Sequence, residues 1–243
     1  MTILNLQQAN VAVIGAGTMG IGIAQLAAMH GHVTYVYDLD PVRVEQALNA
    51  LTLQLQKRVD AGKMTAQLFN NTLANLKVAH TLDELAQSQL IIEAIVENKQ
   101  LKQQLFQSLH EVCGAETIFA SNTSSISITA IAADIPHPER VVGLHFFNPA
   151  PVMKLVEVIA GLKTSSKISD ALIDLMIAWN KVPVRAKSTP GFIVNRIARP
   201  YYAEGFRALQ ENATTPEQLD FIMRECGRFS MGPCELTDLI GQD

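Results

Sequence analysis

The segment GLHFFNPAPVMKLVEVI (143–159) is apolar almost throughout, yet it keeps one histidine, His145, and one acid, Glu157. Histidine is the side chain that takes and returns a proton near neutral pH, so His145 suits general-base work. A carboxylate beside it would stabilise the imidazolium and select one ring tautomer. Each residue alone has a plainer explanation: a hydrogen-bonded core histidine, and an acid on an exposed strand edge. A second constellation is GAGTMG (15–20), a G-x-G-x-x-G run. Gly15 would allow a tight turn, Gly17 would let the backbone approach a pyrophosphate, and Gly20 would let helix and strand pack closely. With Thr18 and Met19 between them, the amides at the helix start would hold phosphates without a basic side chain. Asp38, at the end of the next expected strand, can accept hydrogen bonds from adenosine ribose hydroxyls and would repel a 2′-phosphate. NAD is thereby favoured over NADP. The alternative is a glycine-rich turn with no ligand.

These groups need elements to position them. VAVIG (11–15) is a short apolar run ending in glycine, GTMGIGIAQLAAMHG (17–31) has helical spacing, and VTYVYD (33–38) is β-branched and aromatic. That is β-α-β, the unit of a parallel sheet, and the context in which a glycine fingerprint gains meaning. PVRVEQALNALTLQLQKRVDAGK starts with proline at a helix N1 position and, with a second helix over 65–75, predicts a long helical hairpin. Further strands are expected at LIIEAIV (90–96), TIFASN (117–122), VVGLHF (141–146), KLVEVI (154–159) and VPVRA (182–186), with helices at 98–113 and 168–180. SSISITAIAADI, Ser-rich at its start, reads as a helix. N-P-A-P between two strands forbids helix and favours an extended loop.

From Thr189 onward only helices are expected, in PGFIVNRIARPYYAEGFRALQEN, TPEQLDFIMREC and PCELTDLIG. The fold class is therefore α/β: a Rossmann-like, mostly parallel sheet with a long helical hairpin (1–187), followed by an all-helical second domain (188–243). About 55 helical residues make a small domain to stand alone. The chain stops just after an apolar helix begins, so either a continuation or a partner surface is expected beyond Asp243.

The bulk numbers exclude several classes. Apolar residues make up 48% and charged residues 17%, which suits a globular protein with a sizeable core. The net charge of −4, with no basic stripe, argues against nucleic acid as a partner. No apolar run is long enough for a membrane span, and the N-terminus lacks a signal peptide's basic start and apolar block. Cys113, Cys226 and Cys234 are scattered, with no Cys/His cluster, so reduced thiols in a cytoplasmic protein and no metal site are expected. His30, His32, His80, His110 and His137 read as structural or solvated.

Taken together, GAGTMGIGIA, EAIVEN, SNTSSISIT, GLHFFNPAPVMKLVEV, TPGFIVNR and MGPCELTDLIG resemble the 3-hydroxyacyl-CoA dehydrogenase family, in order and over essentially the whole chain. The resemblance implies NAD-linked oxidation of an L-3-hydroxyacyl-CoA to the 3-ketoacyl-CoA, and a helical domain that forms a homodimer. STPGFIVNRIARPYYAEGFRAL and ELTDLIGQD look most like the branch acting on 3-hydroxyadipyl-CoA in bacterial phenylacetate catabolism, with 3-hydroxybutyryl-CoA as the alternative substrate and a non-catalytic NAD-binding protein on the same fold as the alternative function. It implies that His145 and Glu157 form the catalytic dyad and that Ser124 and Asn195 hydrogen-bond the substrate oxygen. Read without it, Ser124 could be a helix N-cap and Asn195 an inter-domain hydrogen-bonding residue. The resemblance sets Glu97, Lys102, Asn122 and Asn148 around the nicotinamide. Lys57, Arg58 and Lys63 could face CoA phosphates or simply solvate a helix face. No cation is obviously aimed at a distal acyl carboxylate; Arg199 and Arg207 on the long helix are named for it.

Overall fold

The computed structural model describes residues 6–241; the first residues of the segment read as leaderless and the last two of ELTDLIGQD lie outside the described residues. The chain divides into two units, Met1–Pro190 and Gly191–Asp243. The first is built on an eight-stranded sheet of order β3-β2-β1-β4-β5-β6-β7-β8. Its strands are β1 (Val11–Ile14), β2 (Thr34–Tyr37), β3 (Leu76–Val78), β4 (Leu90–Glu93), β5 (Ile118–Ser121), β6 (Val141–Phe146), β7 (Leu155–Ala160) and β8 (Val182–Lys187). Every neighbouring pair is parallel except β6 and β7, so one antiparallel step lies inside an otherwise parallel sheet.

Helices α1 (Thr18–Met29), α2 (Pro41–Asp60), α3 (Ala66–Asn75), α4 (Lys99–Val112), α5 (Ile128–Ile131) and α6 (Ser166–Ala178) complete this unit. Local chemistry starts them where expected. Asp40 caps α2 by accepting from the Val42 and Arg43 amides, ahead of Pro41. Thr65 caps α3 through the Leu68 amide, and Asn98 caps α4 through the Leu101 amide. Central strands β1, β4 and β5 are buried along their whole length, which is why they read as continuous apolar runs rather than alternating ones. The core joins these strands to α1 and to Leu172, Leu175, Met176 and Trp179 of α6 and its end. Leu51, Leu55 and Met64 form a separate cluster under the α2–α3 hairpin.

The structure departs from the sequence-based reading in several places. Strand β3 was not anticipated: three residues with a lysine in the middle carry too little pattern. LIIEAIV forms a strand only to Glu93, because the Ile95 amide turns onto the Glu93 carboxylate at 3.2 Å. SSISITAIAADI yields just the short α5, capped by Ser127 through the Ala130 amide, since the hydroxyls before it are engaged elsewhere. N-P-A-P is a tight turn rather than an extended loop: the Val152 and Met153 amides both bond the Pro149 carbonyl at 2.9 Å, and Asn148–Pro149 is cis.

The division of the chain falls at Pro190/Gly191. Ser188 stays with the first unit, where its hydroxyl meets Ser127 Oγ at 3.1 Å and accepts the Ile128 amide at 2.9 Å. The second unit holds α7 (Val194–Gln210), α8 (Pro216–Glu225) and α9 (Pro233–Ile240). Residues 190–193, read as helix, lie outside α7, with Gly191 and Phe192 at positive φ. Buried Asp220 accepts the Cys234 and Glu235 amides at 2.9 and 3.1 Å and so ties α8 to the start of α9.

Candidate active site

The parallel strands β1, β2, β4, β5 and β6 end on one edge of the sheet, and each end leads to a residue singled out by its chemistry. This is the edge at which open α/β sheets bind ligands. Gly15 follows β1 with φ +104; a Cβ there would lie 2.6 Å from the Ala94 carbonyl oxygen. A Cβ on Gly20 would lie 1.8 Å from the Gly15 carbonyl oxygen, so α1 can start this close to β1 only through glycine. Gly17 differs, because a Cβ there meets nothing within 4 Å. It is the N-cap of α1, and among the described residues no side chain caps that helix start. Open space before uncapped amides fits a pyrophosphate.

Asp38 follows β2. One carboxylate oxygen accepts the Ala16 amide at 2.8 Å and the other the Asp40 amide at 3.1 Å, so it braces the glycine loop from the neighbouring strand. A cavity of about 540 Å³ runs from Gly17 and Thr18 past Leu51 and Arg58 to Asn148 and Pro149. Of the candidates Lys57, Arg58 and Lys63, Arg58 lines it, while Lys57 and Lys63 are exposed.

His145 and Glu157 face each other directly in the antiparallel pairing of β6 and β7. His145 Nδ1 lies 2.7 Å from Glu157 Oε2, with the histidine 6% and the acid 0% exposed. An ionised carboxylate only accepts, so Nδ1 carries the proton and Nε2 is the basic nitrogen of the neutral ring. The Phe147 ring packs at 4.5 Å from the imidazole. The turn after β6 is held from beneath by buried Lys181, which donates to the Ala150 and Met153 carbonyls at 2.6 and 2.8 Å. Burial holds the Lys181 pKa below the usual lysine range.

Asn122 follows β5 and accepts the Phe146 amide at 2.8 Å, tying the ends of β5 and β6 together. Half-buried Ser124 lies just beyond, and it is not a helix cap; Ser127 has that role. Instead, Glu97 Oε1 accepts from the Thr123 hydroxyl at 2.6 Å, the Ser124 amide at 3.0 Å and the Ser125 amide at 3.2 Å. Burial pushes the Glu97 pKa up, but these hydrogen bonds and the Lys102 ammonium outweigh it, and the carboxyl ends below its ordinary value. Lys102 is only 1% exposed and reaches Glu97 at 3.4 Å.

Sequence reasoning missed Glu93, Ser121, Thr123 and Lys181. Glu93 had a signal, since an acid inside LIIEAIV is as anomalous as Glu157 in its own strand. Asn195 is the second residue of α7 and half-buried, in the second unit. Arg207 pairs with Glu204 on the same helix. Among the described residues there is no group of three or more His, Cys, Asp or Glu that could hold a metal, and no helix long and apolar enough to cross a membrane.

Comparison with known proteins points the same way. The family model described as 3-hydroxyacyl-CoA dehydrogenase, NAD binding domain, matches residues 10–189, and the C-terminal domain model of the same family matches 191–243. The 3-hydroxyadipyl-CoA dehydrogenase of Escherichia coli is 52% identical over 99% of this chain. The chain spans 50% of that relative's length. The 3-hydroxybutyryl-CoA dehydrogenase of Clostridioides difficile is 40% identical over 96% of this chain and 83% of its own. A crystal structure described as 3-hydroxybutyryl-CoA dehydrogenase from Escherichia coli superposes with a TM-score of 0.95 at 52% identity, covering 97% of this chain and 50% of that one.

Proposed function

The chain belongs to the 3-hydroxyacyl-CoA dehydrogenase family, and from that premise we propose that it oxidises an L-3-hydroxyacyl-CoA to the 3-ketoacyl-CoA with NAD. The observation that carries this reading is the buried His145–Glu157 pair on the sheet edge that also ends in the glycine loop. A protein that only binds a dinucleotide has no need of a general base.

Bound NAD would supply the hydride acceptor. The Gly15–Gly20 loop, with the Thr18 and Met19 amides, would hold its pyrophosphate, and Asp38 its adenosine ribose. Glu97, Asn122 and Asn148 would border the nicotinamide, with Lys102 behind Glu97. His145 Nε2 takes the proton of the substrate hydroxyl as the carbonyl forms. The Glu157 carboxylate keeps Nδ1 protonated and stabilises the imidazolium that results. Ser124, with Asn195 assigned by family resemblance, donates hydrogen bonds to the substrate oxygen. The apolar walls of β6 and β7 keep water from the reacting carbon.

For the acyl group we favour 3-hydroxyadipyl-CoA, as in phenylacetate breakdown, on the 52% identity to the relative of that name. The equally similar solved structure described as a 3-hydroxybutyryl-CoA dehydrogenase keeps the shorter acyl chain as the second reading. Exposed Phe206, Phe221, Ile222, Phe229, Leu239 and Ile240 in the helical unit support homodimerisation there. The free thiols suit a cytoplasmic setting. The test is NADH formation from 3-hydroxyadipyl-CoA and 3-hydroxybutyryl-CoA side by side, with NAD and with NADP. Turnover of neither by a folded chain that binds NADH would overturn the assignment, and a preference for the shorter substrate would overturn the acyl choice.

A further inference from the structure

We propose that Glu93 is a positioning residue for the Ser124 loop, acting through Lys102 and Glu97. Glu93 ends β4 and is fully buried, and both its oxygens receive the Lys102 ammonium, at 2.9 and 2.8 Å. The Ser121 hydroxyl donates to the same carboxylate, and Ser121 Oγ in turn accepts the Thr123 amide at 3.2 Å. Lys102 reaches onward to Glu97 Oε2 at 3.4 Å. The other oxygen of Glu97 gathers the Thr123 hydroxyl and the Ser124 and Ser125 amides. Two routes therefore run from one buried carboxylate to the backbone that carries Ser124: a short one through Ser121, and a longer one through two charges.

A desolvated ion pair is a weak means of stabilising a fold, since burying both charges offsets most of their attraction. What Glu93 supplies is direction. Bound on both oxygens, Lys102 is held inside α4 and meets Glu97 from one side only. Without Glu93 the ammonium keeps Glu97 as its sole counter-charge and draws that carboxylate off its Thr123–Ser125 donors. The Ser124 hydroxyl then loses its fixed place. The kinetic part of this inference rests on the proposed dehydrogenase reading; the structural part does not.

The experiment compares Glu93→Gln with the unaltered 243-residue chain by amide hydrogen exchange and steady-state kinetics. Exchange at the Ser124 and Ser125 amides is expected to speed up by about tenfold or more, while the amides of β1 keep their protection. Where turnover is present, kcat falls about ten- to a hundredfold with the KM for acyl-CoA changed less than about threefold, and Glu93→Asp recovers part of the loss. Unchanged exchange at Ser124 and Ser125 in a folded Glu93→Gln variant overturns the proposal. If that variant does not fold, Glu93→Asp, which keeps the charge but shortens its reach, takes its place with a smaller rise in exchange expected; no rise at Ser124 and Ser125 in Glu93→Asp overturns the proposal equally. Absence of turnover in the unaltered chain counts against the proposed reaction alone, because exchange reads the relay without it.

Discussion

Glu157 stands directly opposite His145 across an antiparallel strand pair and accepts a hydrogen bond from its Nδ1 at 2.7 Å. The two groups are thus fixed by backbone pairing rather than by a loop, and the imidazole can present only one nitrogen as a base.

His145→Gln should lower kcat by about 10²–10⁴-fold while NADH binding, followed by fluorescence titration, stays intact. Glu157→Gln should lower kcat by about tenfold or more with little change in KM, because the carboxylate acts on charge that develops during reaction. An unaltered kcat in the second variant would reduce Glu157 to a structural acid.

The glycine loop offers a contrast between two similar substitutions. Gly17→Ala adds a methyl group to open space, so stability should change by less than about 0.5 kcal/mol, while NADH affinity drops. Gly20→Ala drives a methyl group into the Gly15 carbonyl and should lower the melting temperature as well. Equal effects of the two on stability would contradict this account of the loop.

Trp179 Nε1 donates to buried His32 Nε2 at 2.9 Å, while His32 Nδ1 meets the Ala9 carbonyl at 2.8 Å. This arrangement needs a neutral ring. Burial lowers the His32 pKa below 6.5, although the Ala9 hydrogen bond opposes the shift. The folded state then binds fewer protons than the unfolded chain, so this contribution is complete above pH 6.5 and is lost as pH falls through the lowered value. Urea unfolding of the native chain and of His32→Phe at pH 7.5 and 5.5 measures it. The native chain should lose more stability on acidification than the variant.

Lys181→Met removes the donor for the Ala150 and Met153 carbonyls and should cost about 1–3 kcal/mol in chemical unfolding. The same change should weaken turnover through the turn that carries Asn148. A variant as stable as the native chain would show that water replaces the ammonium at those carbonyls.

The thiols should react in order of exposure and acidity. Cys226 is exposed, whereas burial raises Cys113 to about 11. One fast phase with a disulfide reagent at mild alkaline pH is expected, and Cys226→Ser should abolish it.

The glycine fingerprint, the hairpin and the β-α-β start were readable in the residues, because each has a strong local pattern; His145 and Glu157 stood out as polar groups in an apolar segment, but their pairing came from the family resemblance. What escaped was set by long-range contact. The Thr123–Ser125 hydroxyls look like helix starters, and nothing nearby in sequence shows that Glu97 claims them. Lys181 looks like a surface lysine until its two carbonyl partners, over twenty residues earlier, are placed. The length of β4 followed from a side chain competing with the ladder for one amide, which strand patterns do not record.

The single antiparallel step between β6 and β7 also constrains how this gene can change. Side chains alternate faces along a strand, so shifting β7 by one residue against β6 would send Glu157 to the opposite face from His145. The length of the connecting turn is therefore inherited with the dyad. A one-codon insertion or deletion between Phe147 and Lys154 should be as damaging as losing the histidine, although it alters no residue that touches substrate.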